Sequence, residues 1–175
     1  MSDLHSALLA TIRNVPDFPK KGIVFKDITP ILSDPHLSKR VSEAFRDYWQ
    51  GHQLDGVAGI ESRGFIFGMQ LAQHLELPFI PIRKKGKLPF HTISQSYNLE
   101  YGTAELEIHT DAIKPGQRIL IHDDLLATGG TANATASLIR KLDGEVAGFS
   151  FLVELSFLAG ANDLNSDNIH SLIKY

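Results

Sequence analysis

The tightest constraint on this chain is a pattern that occurs twice: an apolar run, a glycine-bearing turn, a stretch of helical periodicity, and a second apolar run. Gly56-Val57-Ala58-Gly59-Ile60 leads into helical spacing over Gly64 to Leu75 and then the apolar Pro78 to Ile82. Downstream, Gln117 to Ile121 reads as a buried strand and Glu145 to Val153 as another. Between them Gly130 to Leu142 reads as a helix, with Thr135, Leu138, Ile139 and Leu142 on one face. Each set is a βαβ unit, whose parallel strands need a crossover that is almost always right-handed. The fold class is therefore α/β, a parallel-sheet core flanked by helices.

The rest of the chain is arranged around these units. Ile93 to Ile108 alternates weakly after a basic stretch holding Gly86 and Pro89, which predicts a hairpin bearing a flexible loop at about residues 83–98. Ahead of the first unit, Asn14 to Gly22 contains Pro16 and Pro19 and cannot continue as a helix, because each proline fixes φ and moves its predecessor out of the α region. We read it as an extended arm after a short helix over Leu4 to Arg13. Ser38 to Gln50 reads as an amphipathic helix with Val41, Ala44, Phe45 and Tyr48 at helical spacing. The polar tail after Leu155 yields no element. The expected organisation is an N-terminal arm over 1–34 and a core over 35–175, together one domain.

Composition narrows the chemistry. The sequence contains no cysteine, which excludes a disulfide framework, a thiolate-bound zinc or iron–sulfur site and a thiol nucleophile. No apolar run approaches the ~20 residues that cross a bilayer. The start Met1-Ser2-Asp3-Leu4-His5 has no basic segment leading into an apolar one, so no membrane association and a cytoplasmic location are expected. With 17 Lys plus Arg against 20 Asp plus Glu the net charge is −3, a poor match to a nucleic-acid surface. An anionic ligand must be held by local clusters. The eight histidines are scattered without ligand spacing, so no metal site built by the protein is expected.

The segment Ile119-Leu120-Ile121-His122-Asp123-Asp124-Leu125-Leu126-Ala127-Thr128-Gly129-Gly130-Thr131 places two acids at the carboxyl end of a strand, then small residues opening a helix. Ligands of open α/β sheets sit at that end, and the N–H groups of a helix N-terminus receive anions. Asp and Thr are also ordinary turn and cap residues, but the acids and the Gly-Gly-Thr run together favour a phosphate loop. It is not a Walker A loop, since Gly130 is followed by Thr131-Ala132 rather than Lys and Ser or Thr. Gly59-Ile60-Glu61-Ser62-Arg63-Gly64 has the right glycine spacing but continues with Phe65-Ile66. No G-x-G-x-x-G occurs. Carboxylates suit vicinal sugar hydroxyls, with a phosphate one sugar length away.

Asp123 to Thr131 resembles the phosphoribosyl-diphosphate (PRPP) motif of the type I phosphoribosyltransferases, in the form carried by the members that use adenine. Further segments resemble that family in the same order: Pro16-Asp17-Phe18-Pro19, Gly22 to Asp27, Glu61 to Phe65, Arg83 to Pro89 and Leu99-Glu100-Tyr101-Gly102. Together they span roughly residues 14 to 155. The resemblance implies the type I phosphoribosyltransferase fold with a small N-terminal hood. It also implies a pentosyl transfer in purine salvage in which adenine and PRPP give AMP and pyrophosphate. Mg²⁺ would be bound through the substrate's own oxygens, and the expected assembly is a homodimer.

The same resemblance implies roles for single residues. Asp123, Asp124, Ala127, Thr128, Gly129, Gly130 and Thr131 would hold the ribose and phosphate of PRPP. Arg63, Arg83, Lys84 and Lys87 would neutralise the pyrophosphate, a need set by charge build-up on the leaving group. Glu100 is the proton-transfer group on the purine, with Tyr101 and Arg83 as catalytic companions. Val24, Phe25 and Lys26 would contact adenine, with Leu125 facing Phe25 across the ring. Read without the family, Phe25 is an ordinary core residue, Glu100 an exposed strand residue, and Lys84 and Lys85 a solvated charge run.

Two positions depart from the family. Lys26 stands where many relatives have arginine and cannot offer a planar fork. His122 stands where relatives usually carry an aliphatic residue, and an imidazole inside a strand is read as satisfied by its neighbours rather than as a ligand. Two rival functions follow. One is the same transfer to hypoxanthine, guanine or xanthine, which the hood segment disfavours. The other is a nucleotide sensor without catalysis, for which the stretch before Asp55 is too short and too weakly basic to form a helix-turn-helix.

Overall fold

The computed structural model describes residues 2–98 and 103–175. The chain forms two compact units, Met1–Tyr48 and Trp49–Tyr175. In the first, α1 spans Ser2–Thr11, β1 Arg13–Pro16, β2 Val24–Asp27 and α2 Thr29–Leu32, and α3, Pro35–Trp49, runs to the junction. The first helix stops short of Arg13 because Arg13 already opens β1. The proline-rich stretch does not stay an extended arm: β1 and β2 pair antiparallel from Arg13↔Asp27 to Pro16↔Val24. The reversal uses Asp17 and Gly22 at φ 57° and 90°, and the Gly22 N–H donates to the Asp17 carboxylate at 2.7 Å. Pro16 is tolerated at the end of a two-stranded ribbon, where its missing N–H removes no interior bond. α3 starts at Pro35 rather than Ser38. The Asp34 carboxylate accepts the N–H groups of His36 and Leu37 at 2.9 and 3.0 Å, an N-cap, and proline suits the first helical position.

The second unit contains β3 (Gly56–Ile60), α4 (Gly64–His74), β4 (Phe79–Lys84), β5 (Thr92–Asn98), β6 (Thr103–His109), β7 (Arg118–Leu126), α5 (Gly130–Lys141), β8 (Glu145–Glu154) and β9 (Ile169–Lys174). Its strands form one mixed sheet in the order β5-β6-β4-β3-β7-β8-β9. The centre is parallel, as both βαβ units require, from β4 through β3 and β7 to β8 and β9. β6 and β5 add an antiparallel pair at one edge. β3 is buried at all five positions, the mark of a strand covered on both faces. α4 packs on β3 and β7, and α5 on β7, β8 and the β5–β6 pair. Ile60, Ile121, Phe149, Phe151 and Ile139 lie in the core between them.

The second unit also differs from the sequence expectation at the end of β7 and in the tail. β7 runs past Ile121 to Leu126, because its ladder with β8 continues through Asp123↔Phe151 and Leu125↔Val153. The two acids thus belong to the strand itself. The tail is not featureless: two 3₁₀ turns, Ser156–Leu158 and Gly160–Leu164, lead to β9, which pairs parallel to β8 from Phe149↔Ile169 onward. The expected hairpin is the β5–β6 pair, in register from Thr92↔His109 to Asn98↔Thr103. Glu100 and Tyr101 lie outside the described residues. Among the described residues no helix is long and apolar enough to cross a membrane.

Candidate active site

The carboxyl ends of β3, β4 and β7 open onto a cleft of about 370 Å³. This is where an open parallel sheet receives ligands. Its floor is the end of β7, with Asp123, Asp124 and Leu125 among the lining residues. One wall is the loop Ala127-Thr128-Gly129 and the first turn of α5. Gly129 sits at φ 80°, a left-handed conformation that residues with a Cβ adopt at a cost, and it turns the chain directly into the helix. The first N–H groups of α5 have no partner within the helix and face the cleft with its positive dipole end. Thr128 and Thr131 add hydroxyls along the same wall.

The loop is braced from behind. Gly160, in the second 3₁₀ turn, lies so close that a Cβ there would sit 2.1 Å from the Ala127 carbonyl oxygen and 2.8 Å from the Gly129 nitrogen. Asn133 of α5 donates its amide to the Asp163 carbonyl at 2.9 Å, tying the helix to the same turn. Sequence reading missed this brace, because nothing local to Gly160 distinguishes it from other turn glycines.

The opposite wall is the β3–α4 turn, where Glu61, Ser62 and Arg63 line the cleft and the Glu61–Ser62 peptide is cis. The Arg63 Nε donates to Asp124 Oδ2 at 2.5 Å, an ion pair whose carboxylate is almost fully buried. Glu61 accepts the Arg83 Nε at 3.2 Å and the Lys84 backbone N–H at 2.8 Å. α4 presses on the end of β7: a Cβ at Gly64 would fall 2.8 Å from Asp123 Oδ1 and 2.9 Å from the His122 carbonyl oxygen.

Burial, and then the neighbouring Asp124 carboxylate, hold the Asp123 carboxyl well above the usual carboxylate range. A carboxyl that keeps its proton can donate to a hydroxyl as well as accept from one. Burial pushes His122 down to about 3, so this imidazole is neutral at physiological pH. The two acids at the end of β7 therefore differ: Asp124 faces a guanidinium, and Asp123 favours its proton.

The structure gathers Arg63, Lys84, Asp123, Asp124, Leu125 and the run Ala127 to Thr131 around one cleft. Arg83 and Lys87 are not among the lining residues: Arg83 is turned to Glu61, and its Nη1 donates to the Lys87 carbonyl at 3.3 Å. Lys85 pairs with Glu105 at 2.6 Å. Of the adenine candidates, Leu125 is on β7, whereas Val24, Phe25 and Lys26 lie on β2 in the first unit. There the Lys26 ammonium donates to Asn14 Oδ1 at 2.7 Å and Phe25 meets Phe18 edge-on at 5.3 Å.

The parallel centre of the sheet, with β7 ending in two acids, followed by a glycine turn into a helix and faced by an arginine, is the arrangement that the sequence's resemblance to the phosphoribosyltransferases leads one to expect. The family model described as "phosphoribosyl transferase domain" matches residues 29–164. The adenine phosphoribosyltransferase of Anaeromyxobacter dehalogenans is 56% identical over 172 residues, covering 98% of this chain and 100% of that protein. The crystal structure of adenine phosphoribosyltransferase from Thermoanaerobacter pseudethanolicus matches with a TM-score of 0.94 at 50% identity, covering 97% of this chain and 99% of that one. The Saccharomyces cerevisiae enzyme, complexed with an imino-altritol bisphosphate and adenine, matches with a TM-score of 0.92 at 36% identity, over 98% and 99% of the two chains. The chain belongs to the adenine phosphoribosyltransferase family.

Proposed function

We propose that this protein transfers the 5-phosphoribosyl group of PRPP to adenine, giving AMP and pyrophosphate. The observation that carries the reading is the cleft at the end of β7, where two dissimilar carboxyls stand beside a turn of backbone N–H donors, opposite Arg63 and Lys84. In this reading the ribose hydroxyls of PRPP are assigned to Asp123 and Asp124 and its 5-phosphate to the Ala127 to Thr131 turn. Arg63 and Lys84 then meet the pyrophosphate, with Arg83 and Lys87 beside them, where negative charge grows as the anomeric C–O bond breaks. Charge at the sugar carbon in such a displacement has oxocarbenium character, and a cleft that excludes water protects it from hydrolysis. Glu100, with Tyr101, is assigned the proton on the purine ring. Val24, Phe25, Lys26 and Leu125 are assigned to the base on the strength of their segments' resemblance.

The phosphate and ribose oxygens of PRPP suit a hard cation, so Mg²⁺ would be held mainly through the substrate's own oxygens rather than by a site the protein builds. When bound with PRPP it would supply charge neutralisation at the pyrophosphate. A homodimer working in the cytoplasm completes the proposal. Initial rates with adenine, hypoxanthine, guanine and xanthine, each with PRPP and Mg²⁺, test it. Adenine should be the preferred acceptor and AMP the product, and preference for a 6-oxo purine would overturn it.

A further inference from the structure

Two glutamates share one face of β6, and their surroundings differ. Glu105 meets Lys85 at the surface. Glu107 is only 3% exposed, and its partners are main-chain N–H groups and a hydroxyl. Its Oε1 accepts the N–H of Lys87 at 2.8 Å and of Leu88 at 2.7 Å, and Oε2 accepts the Thr92 hydroxyl at 3.4 Å. Gly86, at φ 83°, turns the chain so that successive N–H groups converge on one carboxylate, a nest for an anion. Burial raises the affinity of this carboxyl for its proton, yet the N–H groups of Leu88, Gly86 and Lys87 more than offset it and the group lies below the usual carboxylate range. The nest is thus filled by a carboxylate of the protein itself.

This anion lies under the basic loop. In the β4–β6 ladder Arg83 stands opposite Glu107 and Lys84 opposite Leu106, while the Arg83 side chain turns away to Glu61. The main chain of the cationic segment is therefore held at both ends, at the Lys84 N–H by Glu61 and over 87–88 by Glu107. We propose that Glu107 is a positioning residue for the pyrophosphate end of the cleft: by filling the 86–88 nest it fixes the frame from which Lys84 and Lys87 meet the diphosphate of PRPP. The proposal rests on the reading of the cleft as a PRPP site. The anion occupies the loop's N–H groups itself, so the diphosphate is left to the side-chain cations.

Glu107→Gln keeps the shape and removes the charge, leaving a neutral amide oxygen to accept from Lys87 and Leu88. Losing charge-assisted bonds at a preformed loop should raise the KM for PRPP about tenfold, with the KM for adenine and kcat at saturating PRPP changed less than about twofold. Amide hydrogen exchange without substrates reads the tether directly: Lys87 and Leu88 should exchange about tenfold or more faster in E107Q, and β3 amides should not change. Unchanged exchange, or faster exchange with an unaltered KM for PRPP, overturns the proposal. If E107Q does not fold, Thr92→Val removes only the weakest bond and should move both readouts the same way by about twofold, and no movement in either overturns the proposal. A wild-type protein that forms no AMP would instead strike the reading of the cleft, while slow exchange at Lys87 and Leu88 would still show the tether.

Discussion

β3 and β7 are neighbours in one sheet, and both end in turns that lead straight into helices, yet the two turns are made of different material. The β3–α4 turn presents charged side chains, each already engaged: Arg63 with Asp124, Glu61 with Arg83 and the Lys84 N–H. The β7–α5 turn presents main-chain N–H groups, and its shape depends on Gly129 and on the Gly160 backbone behind it. A ligand at the first turn must exchange with partners that are in place. At the second it meets donors the chain has already fixed. The same topological position thus yields an adjustable site and a rigid one.

The contrast breaks most sharply at Gly160. Overpacking typically costs about 1–3 kcal/mol, so Gly160→Ala should lower kcat/KM for PRPP by roughly ten- to a hundredfold. Steady-state kinetics check this, and a wild-type value would mean that the brace does not set the loop. The size follows from a Cβ placed 2.1 Å from the Ala127 carbonyl oxygen, a main-chain atom that yields only if the whole loop moves.

The next effect falls on the α4 side of β7. His122 titrates near its ordinary value when unfolded but at about 3 in the folded chain. The unfolded state therefore binds more protons below that ordinary value, and stability is lost as pH falls through the window between them. From pH 7 to 5 His122 alone should cost about 2 kcal/mol, at ~1.4 kcal/mol per pH unit below ~6.5. Urea unfolding of the wild type against His122→Leu at the two pH values checks it: the difference in stability should shift by that amount in favour of Leu at pH 5. His170, pushed down to about 4 by burial, then Lys174 and His52, contributes in the same direction to both proteins and cancels in the comparison.

The smallest effect belongs to the side-chain turn. Arg63→Gln leaves the Asp124 carboxylate with a neutral neighbour. Because the Arg63 side chain is 45% exposed, water already screens the pair, and the loss of unfolding free energy should be about 1 kcal/mol. Urea unfolding of the unliganded variant measures it. A loss as large as that expected for a fully buried pair would make this turn as rigid as its neighbour and remove the distinction.

The two βαβ units were legible because period and punctuation agree there: β3 matches the expected run residue for residue, and α5 begins at Gly130 as read. The acid–glycine loop was legible for the same reason, its chemistry being concentrated in consecutive residues. Asp34-Pro35 carried a readable start signal for α3 that the apolar spacing alone did not use. Glu107 and Gly160 were not legible. Each acts on residues about 20 to 30 positions away, and no local pattern announces a nest or a close approach. The basic loop read as one cluster, but folding divides it: Lys84 faces the cleft, while Arg83 and Lys85 turn to separate acids. β9 stayed hidden in a polar tail, where Ile169 and Ile173 give too short an apolar signal to mark an edge strand.

The strand order also bears on the order in which the chain can assemble. β3, the most thoroughly buried strand, pairs on one side with β4, which follows it closely, and on the other with β7, where Gly56 meets Ile119. During synthesis its second edge must therefore wait for about 60 further residues, at ~5–20 residues per second an interval of several seconds. Contacts of such separation slow folding. Through that interval Gly56 to Ile60 is an apolar strand with one side unpaired, and its two glycines, poor strand formers, lessen its tendency to pair with another nascent chain before β7 arrives.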